Sequence, residues 1–174
     1  FESELNKNNV IMIDFQRHFS SAKGKKEPEK VLERMQEKII KEIHESYPDI
    51  VSENDTFLPD VLENVNKATN EQFIIIIDEW DCLFREAKHN KELQDEYINF
   101  LRAIFKGYMA DKVIKLAYIT GILPIKKYGT QSALNNFKEY TMAKPRQLAE
   151  YVGFSQEEVE ALCNRFNMDF EECR

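Results

Sequence analysis

Apolar residues along this chain follow two rhythms: short unbroken runs, and longer stretches in which they recur every three or four positions. The runs are "VIMIDF" at Val10–Phe15, "FIIII" at Phe73–Ile77 and "VIKLAYIT" at Val113–Thr120. Each predicts a β-strand. The lack of polar alternation in Phe73–Ile77 predicts burial on both faces, as at the centre of a parallel sheet. A fourth, shorter strand is expected at "FKEYTM", Phe137–Met142. Between the runs, Leu32, Met35, Ile39, Ile43 and Tyr47 mark an amphipathic helix over Pro28–Tyr47, with Pro28 accommodated in its first turn. Leu58, Val61, Leu62 and Val65 predict a shorter helix. Leu93, Tyr97, Phe100, Leu101, Ile104 and Phe105 predict a third that ends near Gly107. The basic "AKGKK" at Ala22–Lys26 reads as a solvated loop, with a phosphate contact as the alternative.

Beyond Pro145 the pattern is helical throughout. Arg146–Tyr151 predicts a short helix stopped by Gly153. Ser155 followed three positions later by Glu158 is a capping-box signature, opening a helix with Val159 and Leu162 facing inward. Strands separated by long helical crossovers predict an α/β fold, a parallel sheet covered by helices. The expected division is a core over residues 1–144 and a small helical segment over 145–174.

Composition narrows the class. The 174 residues suffice for one buried core, and 43% hydrophobic with 32% charged residues is ordinary for a globular protein. The net charge of −7 argues against broad binding to nucleic acid or to acidic membranes. No apolar run approaches the ~20 residues of a membrane span, so no membrane partner is expected. Cys82, Cys163 and Cys173 have neither CxxC nor zinc spacing, which suits reduced thiols and a cytoplasmic location. The chain starts at Phe1, and helix-like sequence still runs at Glu171–Arg174, so both ends read as cut.

The chemistry concentrates where "FIIII" runs into "DEWD". Asp78 and Glu79 fall at the carboxyl end of the predicted strand, the edge where open α/β sheets bind ligands. Apolar residues followed by Asp and Glu are the Walker B pattern of P-loop nucleotidases, in which the Asp serves the magnesium shell and the Glu acts on the attacking water. An acidic helix start is the alternative. An aspartyl phosphotransferase needs Asp-x-Asp, whereas Asp78 and Asp81 are spaced Asp-x-x-Asp. Thr120 closes the strand at Val113–Thr120 with a polar group. Elsewhere, His18, His44 and His89 lack ligand spacing and read as surface or capping residues. Cys82, Trp80 and Phe84 read as packing residues. Lys126 and Lys127 are candidates to face a phosphate or a nucleic acid.

Taken together, "FIIIIDEWDCLF", "YITGILPIKKYGTQSALNNF" and "LAEYVGFSQEEVEALC" closely resemble the bacterial AAA-ATPase-like family, P-loop ATPases often fused to a restriction-endonuclease-like nuclease domain. The resemblance runs from "NNVIMIDFQ" to "NMDFEE". It implies a P-loop NTPase-like sheet of order 5-1-4-3-2, with Asp78 as the magnesium-side acid, Glu79 as the catalytic base and Thr120 at the sensor position. It also implies that the helices after Pro145 begin a lid.

The departure from the family lies in the phosphate cradle. A Walker A segment reads GxxxxGK[ST], so that backbone N–H groups surround the phosphates. Gly24 precedes Lys25, but Lys26 follows, and Phe19 stands in the first glycine's place. The chain thus carries the Walker B to lid portion, and strand 1 of the sheet is missing. ATP and Mg2+ are expected in an intact parent, with none bound to this chain alone. Two functions remain: a piece of an ATP hydrolase, inactive in isolation, or a nucleotide-independent interaction module that keeps the fold. The gap beside Ile114–Thr120 predicts self-association through an exposed sheet edge. Nucleic acid enters as a partner of the parent only.

Overall fold

The structure is a computed structural model that describes residues 7–124, 134, 136–141, 144, 146–151 and 153–173. It divides into two compact units, Phe1–Asn135 and Asn136–Arg174.

The first unit is α/β. Its strands are β1 (Asn9–Asp14), β2 (Phe73–Asp78) and β3 (Ile114–Ile119). They form one parallel sheet in the order β1-β2-β3. The helices are α1 (Phe15–Gly24), α2 (Val31–Ser46), α3 (Leu58–Thr69), α4 (Cys82–Glu86) and α5 (Lys91–Phe105). A 3-10 turn at Pro28–Lys30 precedes α2, and a π-helical turn at Met109–Val113 leads into β3. This architecture is consistent with a P-loop NTPase-like fold.

Two local readings are corrected. Phe15 does not end the first strand but opens α1, because the Asp14 carboxylate accepts the Arg17 N–H at 2.9 Å and caps a helix there. Ala22 to Gly24 belong to that helix rather than to a loop, and Ala22 is buried with Phe15 and Phe19 on its inner face. The basic composition of "AKGKK" concealed this spacing. The predicted helix over Pro28–Tyr47 is found as the 3-10 turn plus α2, with Leu32, Met35, Ile39 and Ile43 buried as expected. Helix α3 begins without a side-chain cap of its own. Gln36 of α2 accepts the Leu58 N–H at 3.1 Å instead, so one helix satisfies the start of the next.

The sheet is not covered equally on its two faces. Ile13, Phe73, Ile75 and Ile77 are buried, and α1 packs against β2, α2 and α4 to close that side. On the opposite face the register aligns Val10 with Ile74 and Leu116, then Met12 with Ile76 and Tyr118. Val10, Met12, Leu116 and Tyr118 are exposed there, and Ile74 and Ile76 are half-buried. The expectation that Phe73–Ile77 is buried on both faces is therefore corrected, among the described residues, to burial on one.

The second unit is helical. A 3-10 helix spans Arg146–Tyr151, followed by α6 (Gln156–Phe166) and α7 (Phe170–Cys173). The capping box forms as read: Glu158 N–H donates to Ser155 Oγ at 3.2 Å, and Ser155 N–H donates to the Glu158 carboxylate at 2.7 Å. Leu162, expected to face inward, is exposed. The buried position is Cys163, whose carbonyl accepts the Met168 N–H where Asn167 turns the chain into α7. The expected strand at Phe137–Met142 is absent from its described residues, Phe137–Thr141. Among the described residues Thr141 pairs only with Lys144, in an isolated antiparallel bridge, so its polar groups are satisfied locally rather than in a ladder. Met142 lies outside the described residues.

The unequal faces yield a test within one strand. Ile75→Ala removes a fully buried side chain and should cost about 2–5 kcal/mol in urea unfolding, as for other large-to-small core changes. Ile74→Ala, on the half-buried face, should cost about half of that or less. Equal losses would show that the second face is also sealed.

Candidate functional site

The end of β2 is held by its neighbour. Thr120 N–H donates to the Ile77 carbonyl at 2.9 Å, and the Thr120 carbonyl accepts the Trp80 N–H at 3.0 Å. This extends the parallel ladder just beyond the strands and places the Thr120 hydroxyl on Asp78, to whose Oδ1 it donates. Asp14 of β1 stands opposite Asp78 in the register. Asp14, Asp78 and Thr120 thus form one row across the carboxyl edge of the sheet.

Glu79 N–H donates to Asp78 Oδ1 at 3.1 Å, but the Glu79 carboxylate takes a partner outside the row. Its backbone has φ +55°, the left-handed region that few residues other than glycine adopt. Its carboxylate is bound by Nη2 of Arg85. The same guanidinium donates through Nε to Asp81 Oδ2 at 3.1 Å, and Asp81 also accepts the Leu123 N–H at 3.0 Å. Asp81 is completely buried. A carboxylate there is tolerated because a cation and a backbone donor meet it, and removing the cation would cost about 3–5 kcal/mol. The Glu79–Arg85 pair, whose Glu79 side chain is 38% exposed, contributes about 0–1 kcal/mol by comparison.

An aromatic layer lies beneath these charges. Trp80 is buried, packs on Phe84 and donates its indole N–H to the Leu123 carbonyl at 3.1 Å. Phe84 in turn meets Tyr97, which stacks on Phe15. Trp80 and Phe84 are core residues, as their sequence reading had it. Gly121 rests directly on this layer: a Cβ there would come within 2.4 Å of Trp80 Cδ1 and 2.7 Å of Asp81 Oδ1. Glycine is required by contact rather than by its dihedral angles.

Cys82 is also buried, with its thiol raised to about 11 by desolvation despite the opposing pull of Arg85. It is a packing residue. Of the histidines, His18 is half-buried on α1, with its pKa lowered first by burial against an opposing pull from the Asp14 carboxylate; His44 Nδ1 lies 2.6 Å from the Val51 carbonyl oxygen, and His89 is exposed. Lys126 and Lys127 lie outside the described residues. A shallow recess of about 440 Å3 on the loop after α2, lined in part by His44 and Asn54, includes neither the row nor Glu79, Asp81 or Arg85.

The structure therefore brings Asp78 and Thr120 together and pairs the Glu79 carboxylate with Arg85. Asp14, Asp81 and Arg85 belong to the site without standing out in the sequence. Asp14 lies within the apolar run "VIMIDF", and Asp81 is ill-spaced for phosphotransfer. The Asp81-to-Arg85 spacing of four, which aligns side chains on a helix, was the available signal for the clamp.

The oxygen donors of the row suit a hard cation. Among the described residues, however, no three His, Cys, Asp or Glu side chains gather to hold one. That donor set fits magnesium in the way that nucleotide sites use it, through one or two carboxylates with phosphate and water completing the shell.

A family profile described as "Predicted AAA-ATPase" matches residues 2–131. The chain belongs to the AAA-ATPase-like family. No curated protein and no solved structure matches it. The row and the Arg85 clamp of this AAA-ATPase-like chain both fall within the matched residues, whereas the 3-10 helix at Arg146–Tyr151, α6 and α7 lie beyond them. No helix among the described residues is long and apolar enough to cross a membrane.

Two positions, Gly121 and Cys82, test this packing. Gly121→Ala forces a methyl group against Trp80 and the buried Asp81 carboxylate, and should destabilise by about 1–3 kcal/mol in urea. The fluorescence of Trp80, the chain's single tryptophan, should shift with it. An unchanged midpoint would mean that the Gly121 turn yields freely. For Cys82, unfolding returns the thiol to about 8.5. The stabilisation from keeping it protonated is then complete below pH ~8.5 and is lost as pH rises toward the folded value of about 11. Cys82→Ala should flatten the alkaline fall in Tm over that window. Iodoacetamide at pH 8 should modify exposed Cys173 and spare Cys82 until denaturant is added. Native-state alkylation of Cys82 at the Cys173 rate would remove it from the core.

Proposed function

We propose that this chain supplies the hydrolytic edge of an ATP-hydrolysing domain, with Asp78 as the Walker B acid on the magnesium side, Glu79 as the base toward water, and Thr120 as the sensor-position residue. The observation that carries this reading is the Thr120 hydroxyl seated on Asp78 at the carboxyl edge of a parallel sheet, in a chain of the AAA-ATPase-like family. A bound magnesium ion would neutralise charge on the phosphates. Asp78 would hold that ion's shell, its Oδ1 oriented by Thr120, and Asp14 adds a second negative charge in the same row. Glu79 would accept a proton from water at a carboxylate oxygen, after turning from Arg85 toward the row. The helices after Pro145 would begin a lid.

The sequence contains no GxxxxGK[ST], so these residues do not themselves provide a phosphate cradle. Without one, Asp78, Glu79 and Asp14 present only negative charge to a polyanion, and the chain alone is inactive. The second reading, an interaction module that keeps the fold without nucleotide, draws on the same missing motif and on the exposed apolar rows through Val10 and Met12. Association through a sheet edge belongs to that reading.

The proposal is tested by titration and by mutation. Calorimetry on the isolated chain should show MgATP binding no tighter than roughly millimolar, as expected where like charges meet. In a protein with GxxxxGK[ST] ahead of this chain, Glu79→Gln should retain nucleotide while turnover falls about 10²–10⁴-fold, the usual contribution of a general base. Asp78→Asn should weaken the magnesium-dependent part of binding. Equal turnover by wild type and Glu79→Gln would leave Glu79 a turn residue and take the base role from it.

A further inference from the structure

The turn after β2 divides its three carboxylates unevenly. Asp78 receives Thr120, whereas Glu79 and Asp81 both run to Arg85. The two arms of the guanidinium are not equivalent. Asp81 is fully buried and also fixes the Leu123 N–H, so a charge there needs the cation in every conformation of the turn. Glu79 is partly exposed, so its carboxylate leaves the guanidinium at small cost.

We propose that Arg85 is a latch. Anchored on Asp81, it holds the Glu79 carboxylate away from the Asp14–Asp78–Thr120 row and fixes the place to which Glu79 returns. This rests on the reading of Glu79 as the base toward water. Arg85 is then a positioning residue that keeps the base idle until the row is occupied. Its planar fork explains the residue type: one guanidinium spans two carboxylates, which a lysine ammonium, a single point charge, does not. The anchor also reaches the other half of the site. Asp81 holds the Leu123 N–H while Trp80 holds the Leu123 carbonyl, three residues beyond Thr120, so the latch and the sensor-position residue share one support.

Arg85→Lys tests this in the full chain, because it leaves a cation for Asp81 while removing the second arm. Carboxylates are amidated with a carbodiimide and a small amine, and each site is read by peptide mass spectrometry against exposed Glu92. Amidation of Glu79 should rise about 2- to 5-fold over wild type, the population change expected when an exposed ion pair is lost, while Asp81 stays unmodified in both. An unchanged Glu79 rate overturns the latch. A parallel rise at Asp81 also overturns it, since Arg85 would then serve only to keep the turn folded. If Arg85→Lys does not fold, Arg85→Gln combined with Asp81→Asn removes cation and buried anion together and is read at Glu79 in the same way. Amidation does not depend on hydrolysis. Failure of Glu79 as a base would therefore appear in the turnover of Glu79→Gln, and failure of the latch in the labelling alone.

Discussion

Two backbone hydrogen bonds set the position of everything at the candidate site: Thr120 N–H to the Ile77 carbonyl, and Trp80 N–H to the Thr120 carbonyl. They are the last rungs of the ladder between β2 and β3, made just where both chains leave the sheet. With β2 gripped there, Asp78 must meet the Thr120 hydroxyl, Gly121 must lie on the Trp80 ring, and Leu123 must reach Asp81. The register between β1 and β2 adds Asp14 to the same edge. Parallel pairing of this kind brings together residues more than forty positions apart without any loop having to carry them.

Below that edge, burial and charge support one another. Asp81 is a carboxylate in a completely buried place, a costly arrangement that Arg85 and the Leu123 N–H offset. Trp80 does the complementary work, covering the turn with a large apolar ring while its single donor is met by the Leu123 carbonyl. The absent side chain of Gly121 is what lets the two layers approach. The turn is therefore over-determined, which is the condition under which a non-glycine residue such as Glu79 persists at positive φ.

The helical part of the first unit follows from simpler causes. Phe15 and Phe19 of α1, and Leu32, Met35, Ile39 and Ile43 of α2, recur at helical spacing and form a continuous apolar core with the inner residues of the sheet. Asp14 has two parts in this. It caps α1 through Arg17 and stands in the acidic row beside Asp78, so the start of the first helix and the candidate site depend on one side chain.

Sequence alone determined what depends on local pattern. Phe73–Ile77 and Val113–Thr120 located two strands because runs of isoleucine and valine suit extended chain, and the three-and-four spacing through Leu32–Ile43 and Leu93–Phe105 located two helices. Ser155 and Glu158 announced their capping box because both bonds lie within four residues. Asp78, Glu79 and Thr120 stood out through their places at strand ends. Only the tertiary structure decided which carboxylate meets which partner. Asp78 goes to Thr120 across forty-two residues, and Glu79 goes to Arg85 because Asp81, one turn earlier on the same face, had already drawn the guanidinium inward. Tertiary contact likewise decided that one face of an all-apolar strand is buried and the other half-open, since a run of isoleucines has the same pattern whether one layer of helices or two lies against it.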